Sequence, residues 1–212
     1  MRWVSAVCLL SSVLFVAGMF LVTKPVGADT AQTVPRAALK YQRDLTREAR
    51  AVWGLNANVP VMAAQIHQES RWNETAESKY AQGLAQFTPA TAKWISGAYR
   101  LGAAEPFNPS WALRALVTYD KHLWDRTSGV DDCNRWAFTL AGYNGGAGWI
   151  IKERKMAREA GDDPDLWFGG VERYNARATW AWRENRDYPR KILIKHQPTY
   201  KHWGVPECST LK

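Results

Sequence analysis

In the run Met62-Ala63-Ala64-Gln65-Ile66-His67-Gln68-Glu69-Ser70-Arg71, the residues Met62, Ala63, Ile66 and Glu69 recur at spacings of three and four. On a helix those positions share one face, so a carboxylate stands in an apolar stripe. Asn58 can cap such a helix and Pro60 suits its first turn, which puts Glu69 in the last turn. Partial desolvation and the negative end of the helix dipole both favour the protonated carboxyl there. That describes a general acid kept loaded near neutral pH. Taken alone, Glu69 also fits a carboxylate that snorkels to solvent at a helix end or pairs with Arg71. Other chemistries find less support. The four histidines, His67, His122, His196 and His202, show no metal-ligand spacing, Cys133 and Cys208 form no CxxC pair, and Ser70 has no Gly-x-Ser-x-Gly setting. No cofactor is called for.

The elements that must position Glu69 read as helices. Pro35 opens a stripe of Ala38, Tyr41, Leu45, Ala49, Val52 and Trp53 that ends at Gly54. Residues 71 to 87 carry no period and read as loop, with at most a strand-like hairpin. Thr88-Pro89 and Asn108-Pro109 each repeat the device of a capping residue followed by a first-turn proline. The first helix is expected to end near Ile95, followed by a loop from Gly97 to Phe107, and the second runs to about Arg126 on Ala112, Ala115, Leu116, Tyr119 and Leu123. A helix from Asp132 carries Trp136, Leu140 and Tyr143 to the turn Asn144-Gly145-Gly146. Ala147 to Ala160 forms a basic amphipathic helix closed by Gly161, and Glu184 to Lys195 another, interrupted at Pro189. The last seventeen residues show no period. The expectation is a mainly α fold with no internal repeat.

Four segments in order carry a resemblance. Glu69-Ser70 followed by Ser78, Gly83-Leu84-x-Gln86-x-x-Pro89, Ala141-Gly142-Tyr143-Asn144-Gly145-Gly146 and Glu184-Asn185-Arg186-Asp187-Tyr188 together resemble the SLT-domain lytic transglycosylases, which share the fold of goose-type lysozyme. The resemblance implies a single lysozyme-like helical domain with a substrate cleft. It also implies cleavage of the bond between N-acetylmuramic acid and N-acetylglucosamine in peptidoglycan. Glycosidic cleavage needs a proton on the leaving oxygen and ordinarily a second carboxylate to attack the sugar or activate water. Glu74, Glu77, Asp131, Asp132 and Glu184 are only loosely placed by sequence. The family works with one catalytic acid, which protonates the bridge and then acts as base toward the muramic acid's own C6 hydroxyl, leaving a 1,6-anhydro end. By the same resemblance Ser78 contacts the N-acetyl or lactyl group, Gln86 lines the floor, Tyr143 sets its hydroxyl near Glu69, Asn144 fixes its turn, and Glu184 and Tyr188 close the cleft. Two departures stand out: Ser78 lies one residue closer to Gly83 than the family spacing, and Ala85 replaces a common methionine, leaving the floor wider or refilled by Phe87. Trp72 and Trp149 adjoin matched motifs and would suit sugar platforms, although burial is the commoner role for a tryptophan. A hydrolase of the same fold, with Asp131 or Asp132 holding a water, and a non-catalytic wall-binding module are the alternatives.

At 212 residues the chain suits one well-buried domain. Trp3 to Thr23 is an uncharged run between Arg2 and Lys24, followed by Pro25-Val26-Gly27-Ala28. Residues 1–28 therefore read as an export signal cleaved before Asp29, or as a retained membrane anchor, with residues 29–212 as the domain. The formal charge of +8 falls to +6 without Arg2 and Lys24, a basic surface suited to anionic cell-wall polymers or membranes, nucleic acid being set aside by export. The expected location is the periplasm, or the inner membrane facing it. A monomer is expected to act on peptidoglycan glycan strands and to meet membrane only through an uncleaved anchor. Wall turnover, a secretion or conjugation machine, and phage lysis all fit. Once Cys8 leaves, Cys133 and Cys208 are a disulfide candidate in an oxidising compartment; two unpaired thiols are the other reading.

Overall fold

The structure, a computed structural model, describes residues 33 to 208. The expected leader, 1–28, lies outside the described residues. Within them the chain forms helices α1 (Arg36–Trp53), α2 (Val59–Ser70), α3 (Pro89–Tyr99), α4 (Pro109–Trp124), α5 (Asp132–Gly145), α6 (Ala147–Glu159) and α7 (Thr179–Arg190). The β pairing among the described residues is confined to two isolated bridges, Glu77 with Gln82 and Gln82 with Phe87, inside the aperiodic loop. No described helix is long and apolar enough to cross a membrane.

The start signals act as their chemistry requires. Asn58 accepts from Val61 N–H, Thr88 from Thr91 N–H and Asn108 from Ser110 N–H, each with a proline in the following first turn. Asp131 does the same for α5, accepting from Asn134 N–H at 2.7 Å. α3 runs past Ile95 to Tyr99. Gly97 inside it costs about 1 kcal/mol relative to alanine, less than the packing of Ala92 and Ile95, both buried, returns.

α2 is the centre of the assembly. Every residue from Val59 to Ile66 is buried, so the helix is enclosed on all sides over its first two turns and not merely along one stripe. It packs on α1, on α4 through a buried contact from Gln65, and on the C-terminal segment. That segment is helical as far as Trp203, including the part beyond Lys195 that shows no 3.6-residue period. Past Pro189 the chain widens into a π-helical turn at Lys191–His196 and then tightens into 3-10 turns over Gln197–Trp203. A proline has no N–H for the carbonyl four residues back, and neither wide nor tight turns carry the α-helical period. The tail still reaches the core: Ile192, Leu193 and Tyr200 are buried, and Trp72 Nε1 donates to the Tyr200 hydroxyl at 2.7 Å. Trp72 is thus core, stacked on Tyr41, whereas Trp149 stays exposed beside Lys152 and Arg177.

Cys133, in the first turn of α5, is bonded to Cys208, 75 positions further along the chain, with the two Cα atoms 5.0 Å apart. The bridge fastens the tail that covers α2. Replacing both cysteines by alanine is expected to lower unfolding free energy by about 2–5 kcal/mol, measured by urea denaturation of the variant against the oxidised parent.

Candidate active site

Glu69 is the penultimate residue of α2, and the helix ends abruptly behind it. Arg71 and Trp72 both take left-handed conformations, with φ of 52° and 67°, and Arg71 N–H closes the last turn on His67 O at 3.1 Å. Two consecutive non-glycine residues at positive φ cost of order 1–3 kcal/mol each. The burial of Trp72 holds them there, and the chain is turned away from the carboxyl. Glu69 is half-buried as a residue. Enough protein surrounds its carboxyl that burial pushes its pKa up from 4.5 to about 8. The Tyr188 hydroxyl donates a hydrogen bond to Glu69 Oε1 and pulls in the opposite direction, while the negative charge of exposed Glu184 adds to the rise. The net effect raises the carboxyl above its usual range, to about 8.

Tyr188 and Glu184 come from α7, whose register is set by buried polar contacts. Glu153 of α6, with no solvent exposure, is paired with Arg177 at 3.1 Å and with Arg186 of α7 at 2.6 Å. Arg186 also donates to the carbonyls of Glu172 and Tyr174 and to Asn185 Oδ1. Asn185 in turn donates to Ala141 O at 2.8 Å and Asn144 Oδ1 at 3.0 Å. Asn144 therefore ties the end of α5 to α7. Gly145 beside it has no room for a side chain, since a Cβ would stand 2.6 Å from Asn185 Nδ2 and 2.2 Å from Arg177 Nη1.

Tyr143 donates from its hydroxyl to Ala85 O at 2.8 Å and lies close enough to Glu69 for the two to interact electrostatically. Phe87 is buried against Trp111, Tyr119 and Tyr143, packing the floor beside the small Ala85. Gln86, at φ 47°, uses its side-chain amide on the carbonyls of Ala76 and Gly83. Gly83 is confined by sterics: at φ +75° an added Cβ would meet Pro106 O at 1.8 Å. Ser78 is exposed, its hydroxyl accepting from Tyr80 N–H and Ala81 N–H at a loop tip. The structure thus brings Glu69, Tyr143, Tyr188 and Glu184 to one place, with Asn144 behind them, and in this state engages Ser78 and Gln86 with their own loop.

Asp131 and Asp132 lie at the start of α5. Asp131 is occupied in capping it, and both charges act on Glu207 and are not among the groups acting on Glu69. Besides Glu184, a second carboxyl interacts with Glu69, and the sequence reading passed it over: Asp120 of α4, wholly buried. Its signal was present, because Leu113, Leu116, Val117, Asp120 and Leu123 recur at helical spacing, the same pattern that singled out Glu69. Among the described residues no three His, Cys, Asp or Glu side chains are grouped to hold a metal ion.

Comparison with known proteins gives a consistent picture. The family model for the transglycosylase SLT domain matches residues 47–166. Membrane-bound lytic murein transglycosylase F of Vibrio cholerae is 30% identical over 109 residues, covering 50% of this chain and 19% of that protein. The protein of the same name from Vibrio vulnificus is 30% identical over 157 residues, 68% of this chain and 28% of its own length. The 70 kDa soluble lytic transglycosylase SLT70 of Escherichia coli shares the fold, with a TM-score of 0.56 at 19% identity over 78% of this chain and 27% of that one. The chain spans less than a third of each of these proteins.

The electrostatics of Glu69 can be checked on the protein alone. Carbon-detected NMR of the side-chain carboxyl should show titration near pH 8. Tyr188→Phe removes a hydrogen bond that favours the carboxylate and should move the midpoint up, whereas Glu184→Gln removes a like charge and should move it down.

Proposed function

Because the chain belongs to the transglycosylase SLT domain family, we propose that it is a peptidoglycan lytic transglycosylase, cleaving the β-1,4 bond between N-acetylmuramic acid and N-acetylglucosamine with Glu69 as its catalytic carboxyl. One observation carries the reading: Glu69 is a carboxylic acid that burial holds protonated up to about pH 8, at the accessible end of the central helix, touched by one donor, Tyr188.

The steps follow from that state. At pH 7 an acid with a pKa near 8 is protonated roughly ten to one, so Glu69 enters the reaction carrying the proton the bridging oxygen needs. When it gives that proton up, the buried carboxylate retains the Tyr188 hydrogen bond, which is stronger to a charged oxygen than to a neutral one. The carboxylate then takes the proton of the muramic acid's C6 hydroxyl as that oxygen closes on C1. The acid is restored, the product is a 1,6-anhydro end, and no water is consumed. Asp131 and Asp132 act on Glu207 and are not among the groups acting on Glu69, which counts against a hydrolase in which either of them holds the water. Tyr143, bonded to Ala85 O beside Glu69, sits where it can meet the reacting sugar. Ser78 and Gln86 would contribute substrate contacts by exchanging their loop hydrogen bonds for sugar groups. The relatives' names place those proteins on murein, and the basic charge of this chain suits an anionic wall polymer. An exported, periplasmic location fits such a substrate.

Digestion of purified peptidoglycan, with the ends identified by mass spectrometry, tests the reading. The parent should release 1,6-anhydro-muramic ends, and Glu69→Gln should lower that rate by about 100-fold or more while keeping the parent's circular dichroism. Reducing ends would make the protein a hydrolase.

A further inference from the structure

Gln65 stands one turn before Glu69 on α2, and Asp120 faces it from α4; neither has any solvent exposure. The Gln65 amide donates from Nε2 to Asp120 Oδ1 at 3.2 Å. The remaining polar atoms of the two side chains, Gln65 Oε1 and Asp120 Oδ2, are both buried and both without a hydrogen-bond partner. With Asp120 ionised each of these atoms is an acceptor only, and neither can serve the other. A single proton on Oδ2 changes this. It becomes a donor, and Gln65 Oε1, orphaned on the same side chain that already donates to Oδ1, is the acceptor available to it. Buried polar atoms are almost always partnered, so the pair of orphans points to a proton.

We propose that Asp120 is a positioning residue of the active centre: as a neutral acid paired with Gln65 it ties α4 to α2 one turn below Glu69 and keeps the ground beneath the acid free of charge. The surrounding groups agree. Asp120 interacts electrostatically with Glu69 of α2, Tyr119 of α4, Tyr143 of α5 and Tyr188 of α7, and among the described residues no lysine, arginine or histidine acts on its carboxyl. Burial and the charge of Glu69 push Asp120 up to about 8. The consequence for chemistry rests on the transglycosylase reading. Glu69 must become anionic in the middle of each turnover, and a second negative charge nearby would make its proton harder to release. A neutral Asp120 leaves that step unopposed.

Two measurements on the full chain decide the matter. Infrared difference spectra at neutral pH, taken in the Glu69→Gln background to remove the catalytic acid's own signal, should show a protonated-carboxyl stretch that vanishes with Asp120→Asn. In the otherwise native protein, Asp120→Ala should lower kcat by about tenfold or more with KM changed far less. Asp120→Asn should recover most of that loss, because its Nδ2 can donate to Gln65 Oε1 as the acid does. No lost carboxyl stretch would overturn the proposal, since Asp120 would then be ionised. An asparagine variant as impaired as the alanine one would also overturn it, by showing that an ionisable group is required. The infrared result is read without substrate, so it stands apart from failure of the parent to produce anhydro ends.

Discussion

A carboxyl drawn out of water at the end of a buried helix stays neutral unless something nearby favours its charge. In this molecule the balance is struck by one hydroxyl, that of Tyr188, 119 residues further along the chain. Everything that fixes α7 over α2 therefore bears on Glu69. The Glu153 carboxylate between Arg177 and Arg186, and Asn185 between Ala141 and Asn144, hold α7 by buried polar contacts. Removing such charges from water is costly, and a hydrophobic substitute would often be as stable. What the triad provides is register: Tyr188 lies just over half a turn beyond Arg186, so a slip of α7 by one residue would take its hydroxyl off the acid.

The site is poor in positive charge. Glu69 has Tyr188 as donor, Glu184 as a negative neighbour in solvent, and no cation among the groups that act on it. An arginine there would stabilise the carboxylate and leave no proton to give. The tyrosines avoid this. They offer a hydrogen bond that matters more as charge develops, and burial keeps Tyr188 and Tyr143 themselves neutral, each raised well above its usual value.

The loop from Arg71 to Phe87 is shaped by backbone constraints more than by side-chain reach. Arg71, Trp72, Gly83 and Gln86 all occupy positive φ, and the Gln86 amide bonds two carbonyls of the loop itself. Gly83 lies against the carbonyl of Pro106, which explains why this position of the motif admits no side chain. A loop tied in this way presents a fixed wall beside Glu69 even with nothing bound.

Much of this was legible in the sequence because it is local physics. Caps followed by prolines mark where α2, α3 and α4 begin, the three-and-four spacing puts Glu69 in an apolar face, and the ordered motifs lead to the family. The segment from Gln197 was not legible, because 3-10 turns carry no α-helical period and these are stabilised by Trp72 and α2, far away in sequence. The partner of Glu69 among several carboxylates and tyrosines was likewise undetermined. Asp131 and Asp132 have the same chemistry as Asp120, and only the packing of α4 against α2 decides which is desolvated. Composition and spacing determine which residues can act as an acid; proximity and burial, which depend on all the helices at once, decide which of them is held out of water.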